Sequence, residues 1–145
     1  MDLTAFDLKG KVALITGGAH GIGFSIAEGM AKCGATVCFN CSSEASLEKG
    51  LAAYKEAGIE AHGYVADVTD EAAVNAMVAA IKAEVGPVDI LVNNAGLMKR
   101  VPMVEMSHAD FIRVIDVHVG GAFNCSKAVL PDMIEKREGK IINIC

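Results

Sequence analysis

The sequence predicts a doubly wound α/β domain, a parallel sheet with helices on both faces, and three observations predict it. Short apolar runs alternate with helical-period segments along all 145 residues. The first of these runs leads into a glycine-rich turn, Gly17-Gly18-Ala19-His20-Gly21-Ile22-Gly23, that opens a helix. The composition is 52% hydrophobic but only 5% aromatic, so small and branched aliphatics carry the apolar weight, as in strands covered on both faces.

The elements follow in order. Strand one is Lys11–Thr16. Helix one runs from about Gly21 to Cys33, with Ile22, Ile26, Met30 and Cys33 on one face and Gly34 as its stop. Strand two is Ala35–Asn40. Helix two runs from about Ser43 to Ala57, turns Leu47, Leu51 and Tyr54 inward, and ends at Gly58. Strand three is Ala61–Ala66. Helix three starts near Thr69-Asp70, carries Val74, Met77, Val78, Ile81 and Val85, and closes at Gly86-Pro87. Strand four is Val88–Val92, followed by a loop over Asn93–Met106. Ser107 caps a long helix whose apolar positions are Phe111, Val114, Ile115, Val119, Ala122 and Val129, with a bend expected at Gly120-Gly121 and Pro131. Strand five is Lys140–Cys145. Right-handed crossovers then require the strand order 3-2-1-4-5, with a crevice where strands one and four diverge.

The bulk properties exclude several classes. Net charge is −5 with scattered basic residues, which disfavours nucleic acid as a partner. No run reaches the roughly 18 apolar residues of a membrane span. The start, Met1-Asp2-Leu3-Thr4, shows no basic region followed by an apolar core, so no secretory signal is read. Five cysteines, an odd number, then read as reduced thiols in a cytoplasm. Cys33, Cys38, Cys41 and Cys125 match an iron–sulfur spacing, but Cys33 falls in a helix and Cys38 in a strand, where no loop could wrap a cluster. No metal site is expected.

The chemistry gathers at the carboxyl ends of three strands. After strand one, Gly17 permits a tight turn, Gly21 lets the backbone of Ala19, His20, Gly21 and Ile22 approach a phosphate, and Gly23 lets the helix pack close to the sheet. A glycine turn used only for packing is the plain alternative. After strand three, the Asp67 carboxylate can accept from an adenine amino group while the Val68 main chain completes the base edge; a helix cap would explain Asp67 as well. After strand four, Asn93 can brace the loops, and Ala95 and Gly96 leave room for a ribose, although a simple turn would use the same residues.

Thr16–Gly23, Asp67-Val68 and Asn93–Gly96 together resemble the short-chain dehydrogenase/reductase family, a Rossmann fold, across essentially the whole chain. Phe6–Lys11, Ala61–Tyr64, Arg100–Met106 and Gly139–Cys145 are most similar to its gluconate 5-dehydrogenase subgroup. The resemblance implies reversible hydride transfer between a nicotinamide dinucleotide and a secondary alcohol of a sugar acid. It also implies a catalytic Ser and a Tyr-x-x-x-Lys pair beyond strand five. This sequence has only Tyr54 and Tyr64, neither with Lys four residues on. The expectation is therefore that residues 1–145 are the cofactor-binding part of a single domain and inactive by themselves; a non-catalytic nucleotide-binding module is the alternative. Strand five, apolar at Ile141, Ile142 and Ile144, would otherwise be a bare sheet edge.

Three further positions take their meaning from the resemblance. His118 occupies the place of the family's catalytic Asn, which shapes a helix bend and holds a water serving the active Lys; a packing His is the plain alternative. Asn40-Cys41-Ser42-Ser43 stands where an acidic residue would select NAD; Cys41 brings no charge, and the two serines and His20 lean the choice towards NADP. Arg100 is the candidate for a sugar-acid carboxylate, or else a solvated surface residue. A homotetramer or homodimer through the helix starting at Ser107 is expected by the same analogy.

Overall fold

The computed structural model describes residues 6–144. The start at Met1-Asp2-Leu3-Thr4, and Cys145 as the expected end of strand five, lie outside the described residues. The elements are β1 Val12–Ile15, α1 Gly21–Lys32, β2 Thr36–Cys41, α2 Glu44–Glu56, β3 Ala61–Val65, α3 Glu71–Glu84, β4 Ile90–Asn93, α4 His108–Ile115, α5 Gly121–Lys136 and β5 Lys140–Asn143. All strands pair in parallel in the order β3-β2-β1-β4-β5, the expected one. Among the described residues no helix is long and apolar enough to cross a membrane.

Strand alternation builds two cores from one sheet. Val12, Leu14, Cys38 and Leu91 face α3 and α5, where they meet Val74, Met77, Val78, Ile81, Cys125, Val129 and Met133. Ala13, Ile15, Val37, Phe39, Ile90 and Val92 face the other way, onto Ala27 of α1 and Tyr54 of α2. At the amino end of the sheet Asp89 accepts from Val12 N at 2.9 Å and pairs with Lys136 at 2.9 Å, which fixes β1, β4 and α5 to one another. The opposite, carboxyl end is left to the loops.

Several expectations about faces need correction. Leu51 is exposed, not inward. The contact of α2 with the sheet centres on Gly50, where an added Cβ would stand 2.9 Å from the Phe39 ring, and Leu51 is one residue, about 100°, further round. Ile22 is exposed in the first turn of α1. Phe111, Ile115 and Val119 are also exposed, so the first half of the long helix turns its apolar residues away from this core, while Val129 in its second half packs into it. That helix is irregular at one of the two expected places, Gly120-Gly121, and regular at the other. A π turn spans Asp116–Gly120, and α5 continues unbroken through Pro131.

Ser107 caps α4 as expected, its hydroxyl accepting from Asp110 N at 3.1 Å. Tyr54 joins the second core to the loop after β1. Its ring lies between Phe24 and Phe39, with centroids 4.6 and 4.8 Å away, and its hydroxyl donates to Gly18 O at 2.7 Å. Burial pushes its phenol well above the ordinary range, so it remains a donor. Tyr54→Phe keeps the packing and leaves the Gly18 carbonyl without its donor; the expected cost is about 1 kcal/mol, read as a lower urea midpoint at unchanged slope.

Candidate functional site

A crevice of about 680 Å³ opens at the carboxyl end of the sheet. Its walls come from the loops after β1, β2, β3 and β4 and from α4 and the π turn that follows it. This is where an open α/β sheet reverses its strand order between β1 and β4, and neighbouring connections leave in opposite directions there.

The loop after β1 supplies the floor. Gly17 has φ +63° and Gly21 φ +60°, values that favour glycine. Nothing lies within 4 Å of an added Cβ at Gly21, which faces open space on the crevice side. At Gly23 a Cβ would stand 2.6 Å from Gly17 O and 2.5 Å from Asn94 Nδ2. Gly23 therefore lets the helix close against the two loops rather than against the sheet, a correction to its expected role. His20 is the N-cap of α1 in an extended conformation, and its side chain makes no capping bond. The other three helix starts with polar caps are satisfied by Ser43, Asp70 and Ser107. At α1 the first-turn N–H groups and the positive end of the helix dipole point at the crevice, a fit for an anion.

Two side chains that sequence reasoning missed hold this floor in place. Thr16 Oγ1 accepts from Asn94 N at 3.0 Å and Ala95 N at 2.9 Å. Asn94 Nδ2 returns the bond, donating to Thr16 O at 3.0 Å and Gly17 O at 3.3 Å. Asn40, also missed as a tether, accepts from Gly17 N at 3.2 Å and donates to Ala66 O at 2.7 Å. The three loops thus share one hydrogen-bond network.

After β3, Asp67 and Val68 both line the crevice. Asp67 does not cap α3; Asp70 does. One Asp67 oxygen accepts from Thr69 N at 3.0 Å and the Thr69 hydroxyl at 2.8 Å, and the other meets Arg113 Nη2 at 3.2 Å. The Thr69 bonds foremost, then Arg113, hold the carboxyl below the ordinary range despite partial burial. Arg113 reaches in from α4 and was not foreseen.

At the end of β2, Cys41 and Ser42 line the crevice. Cys41 Sγ lies 3.4 Å from Ser43 O, and burial pushes the thiol up, so it stays neutral. Ser43 is spent on capping α2, and Ser46 takes the place beside Ser42 on the wall. After β4, Ala95 and Gly96 line the crevice while Asn93 lies beneath it. Asn93 Nδ2 donates to Ser126 Oγ at 3.2 Å and Asn143 Oδ1 at 2.9 Å, so it braces strands and helix, not the wall; its own Oδ1 is buried without a partner among the described residues. Gly96 faces His118, which also lines the crevice. Arg100 stands outside, exposed, with Nε 2.8 Å from Met98 Sδ.

Two outcomes test this arrangement. Thr16→Val keeps the shape and removes the acceptor shared by two N–H groups; the expected loss is about 2–4 kcal/mol by urea unfolding, together with weaker ligand binding. Asp67 has a lowered folded value, so its contribution is complete above the ordinary carboxylate value of 3.8 and is lost as pH falls through the folded one. Asp67→Asn should therefore flatten the fall in urea midpoint that the unaltered protein shows from about pH 5 downwards.

Three comparisons set this geometry beside known proteins. The 2-dehydro-3-deoxy-D-gluconate 5-dehydrogenase of Formosa agariphila is 47% identical over 146 aligned residues, covering 100% of this chain and 55% of that protein. The crystal structure of 2-keto-3-deoxy-D-gluconate dehydrogenase from Streptococcus agalactiae matches with a TM-score of 0.87 at 60% identity, over 97% of this chain and 53% of that one. A gluconate 5-dehydrogenase from Burkholderia cenocepacia, solved with NADP and tartrate, matches with a TM-score of 0.88 at 39% identity, over 99% and 56%. The chain thus spans about half the length of the relatives it matches. Residues 11–145 match the family model described as short chain dehydrogenase, and the chain belongs to that family.

Proposed function

We propose that the protein is a dinucleotide-dependent dehydrogenase that oxidises a secondary alcohol of a sugar acid, gluconate or a close relative, and reduces the matching keto acid. The observation that carries this reading is the uncapped start of α1 beneath Gly17, Gly21 and Gly23, opening into a crevice large enough for a dinucleotide. Its relatives bear sugar-acid dehydrogenase names. Residues 1–145 would form the cofactor-binding part. The catalytic Ser and the Tyr–Lys pair would come from a segment corresponding to the unmatched part of those relatives.

Each wall residue then has a task. The Ala19–Ile22 main chain holds the pyrophosphate, Asp67 and the Val68 main chain hold the adenine, and Ala95 and Gly96 flank the ribose on the nicotinamide side. The dinucleotide, when bound, supplies the hydride acceptor. NADP is favoured over NAD. A neutral Cys41 and the hydroxyls of Ser42 and Ser46 put no negative charge where a 2′-phosphate would rest, and the Burkholderia cenocepacia relative was solved with NADP. Arg100 carries no part of this reading, because it stands outside the crevice. The exposed apolar residues Phe111, Ile115, Val119 and Phe123 support pairing of α4 and α5 with a second copy, as homodimer or homotetramer. The free thiols of Cys33, Cys38, Cys41 and Cys125 support residence in the cytoplasm.

The experiment is a steady-state assay of the intact protein across sugar acids with NADP and NAD, alongside calorimetric binding of each dinucleotide. Turnover of gluconate with NADP is expected. Binding without turnover of any sugar acid would leave the non-catalytic reading, and no binding would remove both. Cys41→Asp and Ser42→Asp, one buried and one exposed, should each shift the NADP-to-NAD affinity ratio by about tenfold towards NAD. An unchanged ratio in both would overturn the placement of the ribose.

A further inference from the structure

The loop after β1 is held from the side of α2 as well as from the side of the crevice. Gly50 and Tyr54 lie one turn apart on one face of α2 and meet the same peptide unit of that loop. An added Cβ at Gly50 would stand 3.1 Å from Ala19 Cα, so helix and loop are in close contact there. The Tyr54 hydroxyl, fully buried, donates to Gly18 O at 2.7 Å. Its ring is gripped between Phe24 of α1 and Phe39 of β2, which fixes where the hydroxyl stands. Gly18 N is tied separately, donating to Asn40 O at 3.1 Å.

Holding a carbonyl also aims the N–H beside it. A trans peptide is planar, and its C=O and N–H point in opposite directions. With Gly18 O turned towards Tyr54, away from the crevice, the Ala19 N–H is turned the other way. The chain passes from one side to the other at this bond: Ala19 lines the crevice, and Gly18 and Tyr54 do not. Among the described residues Ala19 N has no acceptor. A donor without a partner, next to the uncapped start of α1, suits an anion. Gly18 has no side chain to resist rotation of the peptide. Without the Tyr54 bond, its carbonyl is free to swing towards crevice water and to bring the negative end of the peptide dipole to the place of a phosphate.

We propose that Tyr54 is a positioning residue for the phosphate cradle: its hydroxyl fixes the Gly18–Ala19 peptide so that the Ala19 N–H, and not the Gly18 carbonyl, faces the bound pyrophosphate. The effect on affinity rests on the dinucleotide reading above; the orientation of the peptide does not.

The test uses the intact protein and Tyr54→Phe, which keeps the ring and removes only the donor. NADP and ADP, which carry a pyrophosphate, are compared by calorimetry with adenosine, which lacks one and is titrated by magnetic resonance. Tyr54→Phe should weaken NADP and ADP by about tenfold, the worth of one hydrogen bond to a charged group, and leave adenosine within about twofold. In steady state KM for NADP should rise by a similar factor, with kcat within about twofold of the unaltered enzyme. A lowered urea midpoint with unchanged NADP affinity would make the bond merely structural and overturn the proposal. Equal weakening of adenosine would overturn it too, since the whole wall would then have loosened. A crystal structure of Tyr54→Phe without ligand should show the Gly18–Ala19 peptide rotated, with Gly18 O turned away from α2; an unmoved peptide would overturn the positioning role. If the unaltered protein bound no dinucleotide, the crevice reading would fall, and the peptide orientation in Tyr54→Phe would still decide what the hydroxyl does.

Discussion

The whole carboxyl end of the molecule depends on one hydroxyl. Thr16 Oγ1 gathers the N–H groups of Asn94 and Ala95, and Asn94 answers with bonds to the carbonyls of Thr16 and Gly17. The two loops so joined leave adjacent strands in the sheet and then diverge. A parallel sheet provides no main-chain pairing beyond its strand ends, so polar groups there need side chains or water. Here side chains do the work, and the two loops become one rigid rim. Asn40 extends the rim to the loop after β3 by bonding Gly17 N and Ala66 O. All three tethers are at least partly buried, where an exchange of protein for water partners would be costly.

The rim has an electrostatic consequence. It fixes Gly17 and Gly23 so that α1 begins with free N–H groups and no acidic residue in its first turn. The next helix starts are closed by their own caps and carry Glu44 and Glu71 in the first turn. Positive potential is thus preserved at one helix start and cancelled at its neighbours. Among the described residues Asp67 puts the only carboxylate on the crevice wall, and it already meets Thr69 and Arg113. An anion arriving at α1 and a neutral, hydrogen-bonding group arriving at Asp67 would meet complementary surfaces.

The fold was legible because its signals are local and repeated. Apolar runs, glycine stops and polar caps recur at element ends, and the crossover rule turns their order into β3-β2-β1-β4-β5. The glycines and Asp67-Val68 were legible as crevice residues for the same reason, being fixed to strand ends. What stayed hidden was set by side-chain direction. Asn93 and Asn94 are adjacent and chemically identical, yet one points beneath the sheet end to Ser126 and Asn143 and the other up to the loops. Alternation along β4 decides between them, and the end of the strand had to be known to within a residue. Arg113 poses a similar problem, since only the axis of α4 puts it over Asp67, whereas Arg100 sits on the loop after β4 and stays outside the crevice.

The long helix shows how a small break in periodicity divides one segment between two duties. On α5, Gly121, Cys125, Val129 and Met133 are buried at a spacing of four, packed on α3 and the sheet. Gly121 allows that approach, since a Cβ there would stand 2.5 Å from Val68 Cγ2. On α4 no residue is buried, and its apolar Phe111, Ile112 and Ile115 are exposed. A regular helix would carry the buried row of α5 straight back along α4. The π turn inserts a wider turn between them and so changes the phase of everything upstream. Core packing is thereby confined to α5, and α4 is free to aim Arg113 at Asp67 and to leave an apolar face outward. The same turn is where His118 leaves the helix for Leu97. The irregularity therefore joins the sheet core below to the crevice wall above, which a continuous helix could not do with this sequence.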